Sequence, residues 1–158
     1  MHDTPASLRY HAVIFDLYGT LVDGSGRATP GALERVAECR GAKWAIVTSA
    51  TQQLARYLLA SAGIVVPEVL ITGDDVARNK PAPDGYTTAV EKLGVICKRA
   101  LAIEDTQSGI ASARAAGLDV IAVLYGRRAS FAASATFTVA DLTKLRLRRR
   151  EDAVDVTF

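Results

Sequence analysis

At 158 residues, the chain is long enough to bury an apolar core in one domain without disulfides or a structural metal. Hydrophobic residues make up 49% of it and charged residues 23%, a composition that excludes intrinsic disorder. Lysine and arginine outnumber aspartate and glutamate by only 19 to 17, so the charge predicts no nucleic-acid partner and no membrane partner.

The cysteines, the apolar runs and the first residues indicate the cellular compartment in which the protein is expected. Cys39 and Cys97 lie far apart and have no Cys-x-x-Cys spacing, which is typical of reduced, buried thiols. No apolar run approaches the ~18 residues that cross a bilayer. Residues 1–10 also lack the pattern of a secretory signal. The sequence therefore predicts a cytoplasmic protein.

Five short apolar runs rich in β-branched residues predict strands. Each run is nearly continuous in its hydrophobicity and is bounded by Gly, Asp or Thr, as in strands buried on both faces of a parallel sheet. The runs are 12–15, 44–48, 69–71, 100–103 and 120–123.

Segments of helical periodicity alternate with these runs, and a glycine lies at or just after the end of each one. The predicted helices are 31–39, 52–62, 84–93 and 108–116. The alternation predicts a doubly wound parallel α/β sheet in three layers, α/β/α, with right-handed crossovers.

The last part of the chain predicts two further elements. Residues 137–139 are expected to add an edge strand, and residues 141–147 a short final helix. The arginines of 146–150 would then be solvated near the carboxyl end of that helix, where they favour its dipole. Because no linker, repeat or low-complexity tract interrupts the chain, residues 1–158 are predicted to form a single domain.

Polar side chains stand where the predicted strands end. Asp16 and Asp105 come after predicted strands, Thr48 ends one, and Lys80 precedes a helix. In doubly wound sheets, ligands bind at this edge. A carboxylate that attacks a phosphoryl group needs a cation and a lysine to offset repulsion, and hydroxyls to orient the oxygens. Mg²⁺ needs only one or two protein carboxylates beside water and phosphate. These residues predict a phosphate and Mg²⁺ site with Asp16 free to act as nucleophile.

The same segments resemble the haloacid dehalogenase (HAD) superfamily. The matching runs are Asp-Leu-Tyr-Gly-Thr at 16–20, Val-Thr-Ser at 47–49, Lys-Pro-Ala-Pro-Asp-Gly-Tyr at 80–86 and Glu-Asp-Thr-Gln-Ser-Gly at 104–109. The last two runs are similar to those of the β-phosphoglucomutase-like phosphatases. The resemblance covers about residues 13–123, with four motifs in order, and implies a Rossmann-like hydrolase core.

The resemblance implies roles for the matching residues. Those expected to hold Mg²⁺ are Asp16, the backbone carbonyl of Tyr18, Glu104 and Asp105. Those expected to contact the phosphate are Thr48, the backbone N–H of Ser49, and Lys80, which would also contact Asp16. The catalytic set would be Asp16 as nucleophile with Lys80 and Thr48.

Each of these residues also has a purely structural explanation. Asp16 could cap a turn, Thr48 could satisfy its own backbone, and Lys80 could be solvated in a loop. Glu104 and Asp105 could cap the following helix, whose amino end favours acidic residues. These explanations would all have to hold together for the site to be absent.

Tyr18 departs from the phosphatase pattern. There, a second aspartate protonates the leaving group and activates water. The pKa of tyrosine is ordinarily about 10, so it cannot act as a carboxylate base at neutral pH. Loss of general acid–base help typically costs about 10²–10⁴ in rate. A tyrosine here is also similar to the 2-haloacid dehalogenases, but those enzymes lack the Glu-Asp-Thr run and depend on an arginine near the first motif and a helical cap.

The second departure is the missing cap. Relatives insert a helical cap after the first strand, where this chain has only the Gly/Ser-containing loop 23–29. Residues 49–79, the other insertion point, hold one helix and one strand. We therefore expect an open crevice that takes a small or macromolecular phosphorylated substrate, or that a neighbouring subunit covers in a homo-oligomer.

Two functions remain at this point. The first is a Mg²⁺-dependent phosphomonoester hydrolase with an aspartyl-phosphate on Asp16, slowed by Tyr18. The second is a catalytically impaired relative that uses the same residues to bind a phosphorylated ligand or partner. The intact nucleophile, lysine and metal residues favour the first, whereas Tyr18 and the absent cap favour the second.

Overall fold

The computed structural model describes residues 7–158. In chain order the elements are β1 (Leu8–Tyr10), β2 (Ala12–Phe15), α1 (Ala32–Glu38), β3 (Trp44–Val47), α2 (Gln52–Ala62), β4 (Val69–Ile71), α3 (Asp84–Leu93), β5 (Ala100–Glu104), α4 (Gln107–Ala115), β6 (Asp119–Val123), β7 (Phe137–Val139), β8 (Arg146–Arg149) and β9 (Val154–Thr157). Short 3₁₀ turns lie at Cys97–Arg99, Ala129–Ala132 and Leu142–Lys144.

The main sheet has six parallel strands in the order β4-β3-β2-β5-β6-β7. Its central strands, β2 and β5, are buried along their whole length, which explains their continuous apolar sequences. The strand order reverses between β2 and β5, so the carboxyl ends of β3, β2 and β5 lie side by side. This edge is where ligands bind in doubly wound sheets.

Helices cover both faces of the sheet, which gives the predicted three layers. On one face, α1 and α2 pack through side chains such as Val36 and Leu59. On the other, α3 and α4 pack through side chains such as Tyr86 and Ile110. On the first face the rings of Phe15 and Trp44 meet edge to face, with their centroids 6.3 Å apart. The doubly wound α/β prediction is confirmed.

No cap domain is inserted within the described residues. The segment between β2 and α1 consists of turns and isolated bridges, and α2 is the only helix between β3 and β4. Asp23 orders the first segment because its carboxylate accepts hydrogen bonds from the backbone N–H groups of Ser25 and Arg27. The crevice is therefore open on this side.

The prediction of a helix over 141–147 is wrong. Only Leu142–Lys144 form a single 3₁₀ turn, which Asp141 caps, and the arginine-rich run continues as β8. Leu145 and Leu147 are buried while Arg146 and Arg148 between and beyond them are exposed. That alternation has the period of a strand rather than of a helix.

A small antiparallel sheet, β1-β9-β8, was not predicted. It brings the two ends of the described chain together, with Leu8 paired to Val156 and Leu147 to the same residue from the other side. Asp155 on the middle strand accepts hydrogen bonds from Arg9 at 2.7 Å and from Arg150 at 2.5 Å. Arg9 and Arg150 therefore stabilise this sheet through their contacts with Asp155.

Both cysteines are free. Cys39 is fully buried, whereas Cys97 is half-buried. Burial raises the pKa of the Cys39 thiol to about 12, which keeps it protonated and unreactive. Among residues 7–158, no helix has the length and apolar character needed to cross a membrane.

Candidate active site

Four predicted residues follow or end neighbouring strands of the main sheet. Asp16 comes directly after β2, Thr48 after β3, and Glu104 and Asp105 end and follow β5. Lys80 lies in the loop that leads from β4 into α3. Because the three strands are parallel and adjacent, all these side chains reach the same edge of the sheet.

Lys80 joins two of the carboxylates. Its Nζ donates hydrogen bonds to Asp16 Oδ1 at 2.7 Å and to Glu104 Oε1 at 2.6 Å, and to the carbonyl of Val47 at 3.0 Å. Burial by itself lowers the pKa of Lys80, but the charges of Asp16 and Glu104 outweigh this and raise it. The ammonium is thus a fixed positive charge beside Asp16.

Glu104 is completely buried beneath this lysine. Its Oε1 also accepts a hydrogen bond from the hydroxyl of Tyr86, whereas its Oε2 has no partner. Burial and the charge of Asp16 raise the pKa of Glu104 to about 8 against the opposing effect of Lys80. Gly109 leaves room for this carboxylate, since a Cβ there would overlap Oε2.

Asp16 and Asp105 share a hydroxyl. Thr20 Oγ1 lies 3.1 Å from Asp16 Oδ2 and 3.0 Å from Asp105 Oδ1, so its single O–H group can donate to either carboxylate. Burial, and then the charge of Asp16, raises the pKa of Asp105 to about 6. Arg127 Nη2, 3.5 Å from Asp105 Oδ2, partly offsets this repulsion. Gly19, with φ +87°, lies so close to these carboxylates that a Cβ there would overlap Asp105 Oδ2.

The three carboxylates form a compact acidic cluster. Asp16, Glu104 and Asp105 each present an oxygen within 4.8 Å of the others. Three acidic groups in this space face the ammonium of Lys80 and the more distant guanidinium of Arg127. An excess of buried carboxylate oxygens is the donor set that a hard divalent cation such as Mg²⁺ prefers, so these residues fit that ion.

A cavity of about 370 Å³ opens in front of Asp16. Five of the predicted residues line it: Asp16, Tyr18, Thr48, Ser49 and Lys80. The hydroxyl of Thr48 accepts a hydrogen bond from the backbone N–H of Ala50 at 3.1 Å, so it serves its own turn, as its structural explanation requires, and also faces the cavity.

The helix-capping explanation for Glu104 and Asp105 does not hold. Thr106 caps α4, because its side chain accepts a hydrogen bond from the backbone N–H of Gly109 at 3.1 Å. Both acidic side chains instead point toward Lys80 and Thr20. The structure therefore leaves these two carboxylates available to the site.

Three side chains of the site were missed in the sequence. Thr20 belongs to the first motif, and its place four residues after Asp16 was the available signal. Tyr86 ends the third motif and contacts Glu104. Arg127 lies just after β6, so extending the strand-end rule to that strand would have singled it out.

The sequence of the chain matches one family of known proteins. The sequence of residues 25–117, more than half of the chain, matches the family described as haloacid dehalogenase-like hydrolase. Hexitol phosphatase A from Escherichia coli (strain K12) is 40% identical over 98 residues, which are 61% of this chain and 45% of that protein. A phosphoglycolate phosphatase from Xylella fastidiosa (strain 9a5c) is 40% identical over 92 residues, 58% of this chain and 40% of the relative.

A solved structure shares both fold and sequence. A mutant of CbbY from Rhodobacter sphaeroides, in complex with xylulose-(1,5)bisphosphate, superposes with a TM-score of 0.68 at 31% identity. The match covers 75% of this chain and 56% of that one. The chain spans about half the length of the curated relatives it matches.

Proposed function

Since this chain belongs to the haloacid dehalogenase-like hydrolase family, we propose that it is a Mg²⁺-dependent phosphomonoester hydrolase with Asp16 as its nucleophile. The observation that carries the proposal is the contact between Lys80 Nζ and Asp16 Oδ1, 2.7 Å, at the edge of a buried acidic cluster and in front of an open cavity. Relatives named as phosphatases support the same reaction class.

Asp16, Asp105 and the backbone carbonyl of Tyr18 would hold Mg²⁺, with Glu104 within reach. When bound, the ion supplies positive charge that offsets repulsion between the carboxylates and the phosphate oxygens. Lys80 Nζ donates to Asp16, to Glu104 and to the carbonyl of Val47, so it would orient Asp16 and place a positive charge beside the phosphate oxygens.

The reaction we propose has two steps. A carboxylate oxygen of Asp16 attacks phosphorus while the ester P–O bond breaks, and the leaving group departs with its electron pair. Water then attacks the aspartyl-phosphate, which releases inorganic phosphate and restores Asp16. The hydroxyl of Thr48 and the backbone N–H of Ser49 would hold the phosphate oxygens through both steps.

Tyr18 favours a second function. It lines the cavity where the phosphatase pattern places an acid/base aspartate, and its side chain is 55% exposed. Without a carboxylic acid there, turnover is expected to be slow, by about 10²–10⁴ for leaving groups that need a proton. A chain that has lost turnover would still bind a phosphorylated ligand through Lys80, Thr48 and Mg²⁺.

The test is Mg²⁺-dependent hydrolysis of p-nitrophenyl phosphate, whose leaving group needs little protonation. We expect hydrolysis that requires Mg²⁺ and falls at least about 10³-fold in Asp16→Asn, because the nucleophile is lost. Glu68→Gln, at an exposed position outside the cavity, is the control for charge removal. Absence of turnover in the unmodified chain, with phosphate and Mg²⁺ still bound, would establish the binding function instead.

Three further properties belong to the proposal. We propose that residues 1–158 form one HAD-like core domain, that the protein is cytoplasmic, and that its partner is a phosphorylated substrate of small or macromolecular size. The open crevice also suits a homo-oligomer in which a second subunit covers the site.

A further inference from the structure

The cavity in front of Asp16 is lined by two kinds of side chain. The first kind is charged or carries a hydroxyl group and includes Asp16, Lys80 and Thr48. The second kind is largely apolar and comprises Tyr18 and two leucines of α2, Leu54 and Leu58. We call these three side chains the apolar wall.

Local structure fixes the apolar wall in place. Thr51 caps α2 by accepting a hydrogen bond from the backbone N–H of Leu54, which sets Leu54 in the first turn of the helix. Leu58 lies one turn further along the same helical face. The loop beside Tyr18 is tied to α2, because Ser61 Oγ donates a hydrogen bond to the carbonyl of Gly26 at 3.0 Å.

Two of the three side chains of the apolar wall keep much of their surface in water, whereas Leu58 is buried. Leu54 is 47% exposed and Tyr18 is 55% exposed, although both stand beside a strongly charged site. Tyr57, on the same helix, is also exposed next to Leu54. Apolar surface at the mouth of a binding cavity gains free energy when an apolar part of a ligand covers it. Apart from the hydroxyl of Tyr18, these side chains offer no donor or acceptor for the hydroxyl groups of a sugar.

The proton donors that line the cavity put a second constraint on the leaving group. Among the described residues that line the cavity, the ionisable side chains are Asp16, Tyr18 and Lys80. Asp16 is the proposed nucleophile, and Lys80 is shared among two carboxylates and a carbonyl. A phenol such as that of Tyr18 is a far weaker acid than a carboxylic acid. The leaving oxygen therefore receives little protonation and departs largely as an anion. Phenolic oxygens, with an ordinary pKa of about 10, do so far more readily than alkoxide oxygens, which resemble water at about 15.7.

We infer that the substrates of this site are aryl phosphomonoesters, whose aromatic leaving group packs against Tyr18 and Leu54. This inference rests on the proposed phosphohydrolase function. In the first step the bond between phosphorus and the aryl oxygen breaks, Asp16 forms a bond to phosphorus, and the aryloxide takes its proton from water. The apolar wall and the absence of a carboxylic acid at position 18 thus favour the same class of substrate, the aryl phosphomonoesters.

Ligand binding tests the apolar wall without turnover. With Mg²⁺ present, phenylphosphonate and ethylphosphonate are titrated by calorimetry. We expect phenylphosphonate to bind at least about tenfold more tightly, because the ring covers more apolar surface. In Leu54→Ser the ratio of the two affinities should fall toward one. Ile96→Ser, at an apolar and even more exposed position outside the cavity, should leave that ratio unchanged. Equal binding of the two phosphonates would overturn the inference.

Hydrolysis tests the leaving-group argument. We expect kcat/KM for phenyl phosphate to exceed that for ethyl phosphate by at least about 10²-fold, and Tyr18→Asp to narrow the gap by raising ethyl phosphate turnover. Equal rates for both esters would overturn the substrate assignment while supporting the hydrolase. A phenyl preference in binding with no hydrolysis of either ester would overturn the proposed hydrolase and leave the apolar wall as a recognition surface.

Discussion

Gly109 shows how a single residue type is dictated by a buried carboxylate. It lies in the first turn of α4, where glycine ordinarily costs about 0.5–1 kcal/mol relative to alanine. Its hydrogen faces Glu104, whose Oε2 would overlap an added Cβ. Gly109 therefore leaves room for the carboxylate of Glu104, although alanine would be more favourable for the helix alone.

The expected effect of Gly109→Ala follows from that contact. Helix propensity alone predicts a more stable chain, but the steric conflict with Glu104 predicts a loss of about 1–3 kcal/mol in the free energy of unfolding. Urea denaturation gives the sign directly.

Gly24→Ala is the matched control for this substitution. A Cβ at Gly24 would meet only the hydroxyl of Tyr18, at an ordinary contact distance of 3.4 Å. We expect this variant to be neutral or slightly more stable. A stabilised Gly109→Ala would contradict the packing of Glu104 described above.

At the scale of elements, the sheet β1-β9-β8 is held by one carboxylate between two guanidinium groups. Asp155 contacts Arg9 and Arg150, and these hydrogen bonds lower the pKa of Asp155 to about 2. The pKa of an aspartate in the unfolded chain is about 3.9. Because the pKa of Asp155 is lower than this in the folded chain, its charge stabilises the fold at pH values above the unfolded pKa. That contribution is lost as the pH falls through about 2.

Asp155→Asn is expected to lower the stability of the chain at neutral pH. The difference between the variant and the unmodified chain should shrink as the pH falls from 5 toward 2, because protonation removes the same charge. Denaturation curves at several pH values measure the difference. Glu151→Gln, an exposed acidic residue nearby, should show no such pH-dependent gap, and a constant gap for Asp155→Asn would argue against the two ion pairs.

The elements that the sequence predicted well are those buried in the main sheet and its helices. The strand at 12–15 and the helices at 52–62 and 84–93 have the predicted bounds, because a doubly buried strand has a continuous apolar run and the helices end at Gly63 and Gly94. The run 146–149 was misread because its arginines resemble the end of a helix. It pairs with the nearby β9 across a short turn, with Arg149 opposite Val154, and the long-range pairing in this sheet is that of β9 with β1.

The residues of the candidate site were predicted only in part. Residues that end adjacent parallel strands must meet, so Asp16, Thr48 and Asp105 could be grouped from sequence. Thr20 and Arg127 also lie near strand ends, which was the signal for them. Their contacts with Asp16 and Asp105 were nevertheless missed, because position in the sequence does not fix the direction of a side chain.

On the scale of the whole molecule, the acidic cluster sets three carboxylates against two cations at the ends of two central strands, β2 and β5. Mg²⁺ with inorganic phosphate should raise the free energy of unfolding, by about 2.7 kcal/mol at a ligand concentration of one hundred times Kd. Asp105→Asn should remove most of the Mg²⁺-dependent part, because it takes away a proposed ligand. An equal rise in this variant would place the ion elsewhere.

The edge-to-face contact of Phe15 and Trp44 makes that measurement convenient. Trp44 is the single tryptophan of the chain and stands at the amino end of β3, whereas Thr48 faces the cavity four residues further on. At about 3.3 Å per residue the two are roughly 13 Å apart along the strand. The intrinsic fluorescence of the protein is therefore a reporter of unfolding whose indole lies away from the ligand, so a shift in the transition midpoint can be separated from direct quenching.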